Sequence, residues 1–532
     1  VNDYVSADSQ NGCRYQEFLY LLENQQITES EYNVFVFGDE PPTIIEDDEL
    51  GGVGMPNRMM KAGLNGIQAY GKITWEDHYG RVHNARCLEV QVLDRSANWG
   101  LSPNVLTTIY TDENGDFDVT LHAPNNYYFL SIRIYLRNQD FSIKYGWFMT
   151  FDYNFESDVV LASCSGESIN FDYLINYDAQ SDRNKAMSIH QALTWGFDYM
   201  DMIGAQKDYL DLWYPAQLSY YAYNVIHIDG SSDYPNDDSY NWDTVLHEFG
   251  HFIADKEKFS YYCAGDHGFA DNLVDRHNNK LFGTKMAWSE GLATYFAQII
   301  KLKTGLADLN PEVGGVSPGL CHGLSIDIDS QYLLGEANEW VIARLLWDFQ
   351  DDDYWWEPID SVHWGHVSLF NKLRYTVAIN AGARITNLSL FIETQDISIT
   401  DEAIGDLLSY YDIASRLIGP DDDLLSTNSR PIFSWEVGGG SVNHPNNYFT
   451  LNIFKMTGEM ILVKQLGNLT QYQLTALEWS RILNINFVTH VQWNVMAEQR
   501  DASLDNYDTG PYISQTFTLR LPNRVTRIVD RL

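Results

Sequence analysis

The stretch NWDTVLHEFGHFIADKEK, residues 241–258, decides how the rest of the chain is read. Leu246, Phe249 and Ile253 recur at helical spacing and form an apolar stripe that would pin a helix to a core. Ser239 or Asn241 can cap its start, and Asp243 suits the positive N-terminal end. On the same helix His247 and His251 stand at i and i+4, one turn apart on one face, so both imidazoles can reach one metal ion. Glu248, next to the first histidine, can lean over a water held by that metal and take its proton. Random chains of this composition carry such an HExxH pattern only about 0.02 times each.

A catalytic zinc takes three protein ligands and leaves a fourth position open, so a further ligand is expected downstream. Glu257, His267, His277 and Glu290 are the candidates. Ala254 lets the first helix run on and carry Glu257 away from the metal. His267 and His277 fall in a segment without clear periodicity. Glu290 opens the segment AWSEGLATYFAQIIKLKTG, residues 287–305, a predicted helix with Trp288, Leu292, Tyr295, Ile299 and Leu302 along one side, closed by Lys301, Lys303 and Gly305. A helix antiparallel to the first would bring Glu290 beside His247 and His251.

HEFGH followed by WSEGLATYFA resembles the gluzincin metallopeptidases, in which a Glu from a later helix completes the zinc site. The resemblance covers the middle of the chain. It implies His247, His251 and Glu290 as zinc ligands, Glu248 as general base, and hydrolysis of peptide bonds by a water that zinc and Glu248 activate together. Thirty-eight residues separate His251 from Glu290, the exopeptidase signature GAMEN is absent, and Thr294 stands where thermolysin-like enzymes place an Asp that orients a ligating His. An oxyanion donor is also implied, with Tyr332, His322, Tyr220, Tyr221 and Tyr223 as candidates that spacing does not separate. The helical run GEANEWVIARLLWDFQ, residues 335–350, offers Glu336, Glu339 and Asp348, but its apolar positions Ala337, Trp340, Val341, Leu345 and Phe349 mark it mainly as a core helix.

Outward from this centre the pattern turns to alternation. IQAYGKITWED from Ile67, ARCLEVQVLD, NVLTTIYTDENGDFDVTLHA and YYFLSIRIYLRN have the spacings of a small β-sandwich, with Asn114-Gly115 as a hairpin signal. GKITWED, VQVLD and TDENGDFDVTL resemble a transthyretin-like, carboxypeptidase-regulatory sandwich. LSYYAYNVIHIDG, residues 218–230, reads as a strand before the HExxH helix, either an ordinary core strand or an edge along which a peptide could add. After residue 430, RPIFSWEV, YFTLNIFK, EMILVKQL, HVQWNVMAEQ and FTLRLP alternate again. PIFSWEVGG, YQLTALEWSRIL, VQWNVMA and TGPYIS resemble a fibronectin type III-like module, with tryptophans on neighbouring strands filling the core. The expected fold is a multidomain α+β chain: an unassigned segment 1–65, a sandwich over 66–165, a mainly helical zincin-like domain over 166–429 and a sandwich over 430–532.

With 532 residues, 34 Lys+Arg against 73 Asp+Glu and a formal charge of −39, the chain can bury several cores and excludes a surface built to neutralise nucleic-acid phosphates or anionic lipid. No run of 18 or more apolar residues could span a membrane. Zinc is the cofactor expected; calcium is the second cation reading, at Asp112–Asp118 and at the acidic runs Asp351–Asp353 and Asp421–Asp423, where turn chemistry and solvated charge are the plainer explanation. Cys13, Cys87, Cys164, Cys263 and Cys321 make no close ligand pair; a Cys263–Cys321 bridge and buried free thiols are both compatible with their spacing. Asn387 and Asn468 open glycosylation sequons. The function expected is a secreted or cell-surface zinc metallopeptidase acting on a peptide or protein substrate. The alternatives are an extracellular structural or self-assembling protein that keeps the domain as a scaffold, with partners bound through the sandwiches, and a hydrolase of a non-peptide amide.

Overall fold

A computed structural model of the protein describes residues 66–96, 103–121, 127–145, 151–163, 167–178, 181–230, 238–263, 265, 267, 271–305, 335–350, 362–395, 402–411, 413, 416–420, 430–436, 447–485, 490–500, 508–513 and 516–521. Segment 1–65, Cys13, Cys164, Cys321, His322, Tyr332, Asp351–Asp353 and Asp421–Asp423 lie outside the described residues. The fold is mixed α and β with several sheets. It divides into two compact units, residues 1–252 with 300–317 and residues 253–299 with 318–532. Among the described residues no helix is long and apolar enough to cross a membrane.

Among the described residues the first unit starts with β1 (Ile67–Glu76), whose alternating Ile67, Ala69, Ile73 and Trp75 are buried at 1 % exposure or less. β2 (Val82–Asn84) and β5 (Asp116–Leu121) pair with it antiparallel, and β11 (Ser168–Asn170) and β12 (Tyr173–Ile175) pair with it in parallel, so this sheet draws on residues beyond position 165. A second sheet runs β10 (Val160–Ser163), β6 (Tyr127–Tyr135), β3 (Glu89–Asp94), β4 (Asn104–Tyr110), with β9 (Asn154–Glu156) also on β6.

Asn114-Gly115 does not join a paired hairpin, because β4 pairs with β3 while β5 pairs with β1. A type I′ turn needs positive φ at both central positions and a type II′ turn at the first, whereas of Asn114 and Gly115 only Gly115, the second, has it, at 77°. The turn is built on Asp112, whose Oδ1 accepts the N–H groups of Asn114 (2.8 Å) and Asp116 (2.9 Å). It is then stitched to β1 through Ile73 N–H to Gly115 O at 2.8 Å. A Cβ on Gly115 would sit 2.3 Å from Ile73 O, so both its conformation and its contact require glycine.

The third sheet has the order β14 (Tyr220–Ala222), β15 (Val225–Asp229), β13 (Leu210–Ala216), β7 (Phe141–Tyr145), β8 (Phe151–Asp152). β13 runs parallel to both β15 and β7. The YYAYNVIHI run is thus split: β14 stands at the end of this strand order and β15 inside it. Helix α1 (Asp182–Ile203) packs on the sheet, with Phe141 ring to ring against Phe197 (5.5 Å) and His190 (4.8 Å). Burial drives the His190 imidazole down to about 3, so it stays neutral in the core.

The second unit holds α3 (Leu273–His277), α5 (Glu339–Asp348), α6 (His366–Ile379), α7 (Leu388–Glu393) and α8 (Glu402–Tyr410). Asn387, read as a sequon, is 4 % exposed and caps α7 by accepting Leu390 N–H at 3.0 Å, a position closed to a glycan. In the C-terminal part β16 (Arg416–Gly419), β17 (Ile432–Glu436) and β20 (Gln471–Gln473) make one sheet. A second sheet contains β19 (Met460–Gly467), β18 (Asn447–Lys455), β21 (His490–Arg500), β22 (Asp508–Ile513) and β23 (Phe517–Arg520). Trp435 and Trp493 share one core but come from different sheets and not from neighbouring strands; Phe433 of β17 meets the Trp493 ring edge-on at 4.7 Å. Part of YQLTALEWSRIL is helix α9 (Ala476–Leu483), because Thr475 and Glu478 form a capping box and Trp479, Ile482 and Leu483 fall on one buried face.

Candidate metal centre

Helix α2 (Trp242–Glu257) carries the HExxH motif. Asn241 caps it, accepting Thr244 N–H through its side chain (3.4 Å) and Val245 N–H through its carbonyl (3.1 Å). Its first turns are tied to α1 by Trp242 Nε1–H donating to Ser188 Oγ at 3.0 Å, beside Tyr240 O–H to Asn184 Oδ1 at 2.7 Å. Between the two histidines Phe249 is fully buried against Phe197 (5.0 Å, edge-on), and it lies so close to Gly196 that a Cβ there would come within 2.6 Å of the ring. The stripe of Leu246, Phe249 and Ile253 is therefore what fixes the histidine face.

Helix α4 (Lys280–Thr304) starts seven residues before the AWSEG stretch, so Glu290 lies in its interior and not at its start. Trp288 Nε1–H donates to Phe259 O at 2.8 Å, and α5 lies so near Gly291 that a Cβ there would come within 2.5 Å of Ile342 Cβ. Glu290 is 2 % exposed, His251 5 % and Glu248 8 %, with His247 half-buried. One ligand atom from each of His247, His251 and Glu290 lies within 4.8 Å of the others, a group that could hold a metal ion. The two imidazoles stand 4.8 Å apart, centre to centre, at 89°.

The other candidates have different occupations. Glu257, 5 % exposed, accepts a two-pronged pair from Arg374, Nε–H at 2.8 Å and Nη2–H at 2.7 Å. His277 ends α3 with its ring edge-on to Phe282. Asp348 accepts the Tyr411 hydroxyl at 2.6 Å. Tyr221 is buried against Phe252, Tyr220 stacks on His227 at 4.2 Å, and Tyr223 is exposed. Asp112 of the loop read for calcium accepts the backbone N–H groups of Asn114 and Asp116 at Oδ1.

His267 comes next to the candidate ligand: its Nε2 is 3.8 Å from Glu290 Oε2 and 3.3 Å from Glu339 Oε2. Burial disfavours its charge, but the Glu290 and Glu339 carboxylates and the Gly265 carbonyl outweigh that and raise it to about 10. Thr294 donates its hydroxyl to Glu339 Oε1 at 2.7 Å. The sequence offers Glu339 as a candidate on a helix read mainly as core, but its place beside His267 and Thr294 has no spacing signal.

No family model matches the chain, and no curated protein does. Among solved structures, a candidate carbohydrate-binding protein of Pseudomonas aeruginosa aligns at 17 % identity and a TM-score of 0.13, over 21 % of this chain and 90 % of that one. A 9R-lipoxygenase of Cyanothece aligns at 11 % identity and a TM-score of 0.16, over 96 % of this chain and 46 % of that one. Likeness of that degree carries no argument about fold or function.

Proposed function

We propose that the protein is a secreted, zinc-dependent metallopeptidase of gluzincin type that hydrolyses peptide bonds with Glu248 as general base. The convergence of His247, His251 and Glu290 to within 4.8 Å carries this reading. Two imidazoles and one carboxylate are the donor set that suits Zn²⁺ while leaving one position open. Zinc held there supplies Lewis acidity to a carbonyl and lowers the pKa of water at the open position. Glu248, one residue from a ligand and almost fully buried, accepts the proton of the attacking water and returns it to the departing amine. His247 and His251 are presented on one face because Phe249 is locked into the core between them. The charge of −39 supports a partner that is a peptide or protein and not a nucleic acid, and the flanking sandwiches would position the domain or bind extracellular partners.

The test is Glu248→Gln, assayed for zinc content and for cleavage of a quenched fluorescent peptide library. The variant should keep its zinc and lose hydrolysis by several orders of magnitude, since ligation is untouched and proton transfer is not. Hydrolysis unchanged by the substitution would sink the base assignment. A wild-type protein that carries zinc and cleaves no peptide would favour the scaffold function instead.

A further inference from the structure

We propose that His267 and Glu339 act as a positioning pair for Glu290, holding one of its carboxylate oxygens so that the other faces the metal. The inference rests on the metal site proposed above and adds two residues to it. His267 Nδ1 lies 2.6 Å from Gly265 O, and a carbonyl only accepts, so Nδ1 carries a hydrogen and the ring orientation is set. Nε2 is thereby turned to the two carboxylates, at 3.3 Å from Glu339 Oε2 and 3.8 Å from Glu290 Oε2. Glu339 is held at its other oxygen by the Thr294 hydroxyl. Thr294 is four residues after Glu290 on α4, so the chain Glu290, His267, Glu339, Thr294 leaves that helix and returns to it one turn later.

Burial makes the arrangement necessary. Glu290 and Glu339 are 2 % and 1 % exposed, and two carboxylates so placed need cations or donors at close range. Outer partners of metal ligands typically change affinity by about 10–100-fold when removed.

The experiment is zinc affinity by competition with a chromophoric chelator, on wild type, His267→Gln, Glu339→Gln, the double variant and Glu290→Ala, together with the visible spectrum of each cobalt-substituted protein. Each single variant should bind zinc about 10–100-fold more weakly, the double no more weakly than the worse single, and the cobalt bands should move. Wild-type affinity and an unchanged cobalt spectrum in His267→Gln and Glu339→Gln, with only the unfolding midpoint lowered, would show a structural ion pair and overturn the proposal. Independent, additive losses would overturn it too. If wild type takes up no zinc, or Glu290→Ala binds as wild type does, it is the metal site itself that fails.

Discussion

Replacing Gly291 by alanine tests the packing that holds the candidate ligand Glu290. A Cβ at this position would lie 2.5 Å from Ile342 Cβ and 2.7 Å from the Glu339 carbonyl oxygen. Carbon atoms pack at about 3.5–4.0 Å, so α5 would have to withdraw by roughly 1 Å. Two effects oppose each other. Alanine is favoured over glycine in a helix interior by about 1 kcal/mol. Overpacking a close contact costs about 1–3 kcal/mol, and with one of the clashing atoms in the backbone of α5 the upper end applies. The net loss is then about 2 kcal/mol, or roughly 30-fold in the opening equilibrium of the α4–α5 contact. Chains with more than one compact unit commonly depart from two-state unfolding, so a global melting temperature is a poor reporter here. Hydrogen exchange by mass spectrometry on peptides spanning residues 286–300 and 339–348 reads the contact directly. Exchange in both peptides should accelerate by about 30-fold. Unchanged or slower exchange would mean that helix propensity governs the position and that the close approach is not real.

Three further outcomes follow from other contacts. Arg374→Met leaves Glu257 buried without its guanidinium and should destabilise the protein by about 3 kcal/mol in denaturant titration while zinc content stays at the wild-type level; a loss of zinc would assign Glu257 to the metal after all. Gly196→Ala pushes a methyl into Phe249 between the two histidines and should weaken zinc binding about 10-fold by competition titration, since the imidazoles must turn with the helix; wild-type affinity would show that the Phe249 contact does not set their geometry. Burial raises the Glu478 carboxyl, but Thr475, Tyr472 and Lys464 outweigh it and hold it at about 2. A carboxyl whose folded value is depressed stabilises fully above its unfolded value near 4.3 and loses that contribution as pH falls toward 2. Thermal unfolding of the C-terminal β-rich region followed from pH 5 to pH 2 should therefore flatten in Glu478→Gln, and an identical acid slope in variant and wild type would contradict the cap.

The parts legible in the sequence are those written by local periodicity. The stripe Leu246, Phe249, Ile253 marks α2, and HExxH with a later helix bearing Glu290 anticipates the three residues that the fold brings together. The start of α4 was missed because its cap, Asn279, whose Oδ1 accepts Phe282 N–H at 3.1 Å, stands in a polar run that reads as loop, and Gly283 weakens the helical pattern of KLFGTKM, residues 280–286, after it. Asn114-Gly115 misled because the dipeptide reports a tight turn and says nothing of which strands its flanks will pair with. The α9 capping box, Thr475 with Glu478, was written in the sequence but hidden within a run of alternating strands. The approach of α5 at Gly291 and the path from Glu290 through His267 to Glu339 join residues with no regular spacing, so only the tertiary fold could reveal them.

The most direct test of the account is zinc content per chain by elemental analysis, on wild type and Glu290→Ala purified without added metal or chelator. About one zinc in wild type and a clear loss in the variant is the expected result. No zinc in wild type after reconstitution at neutral pH, or equal zinc in both proteins, would contradict a metal centre built from His247, His251 and Glu290.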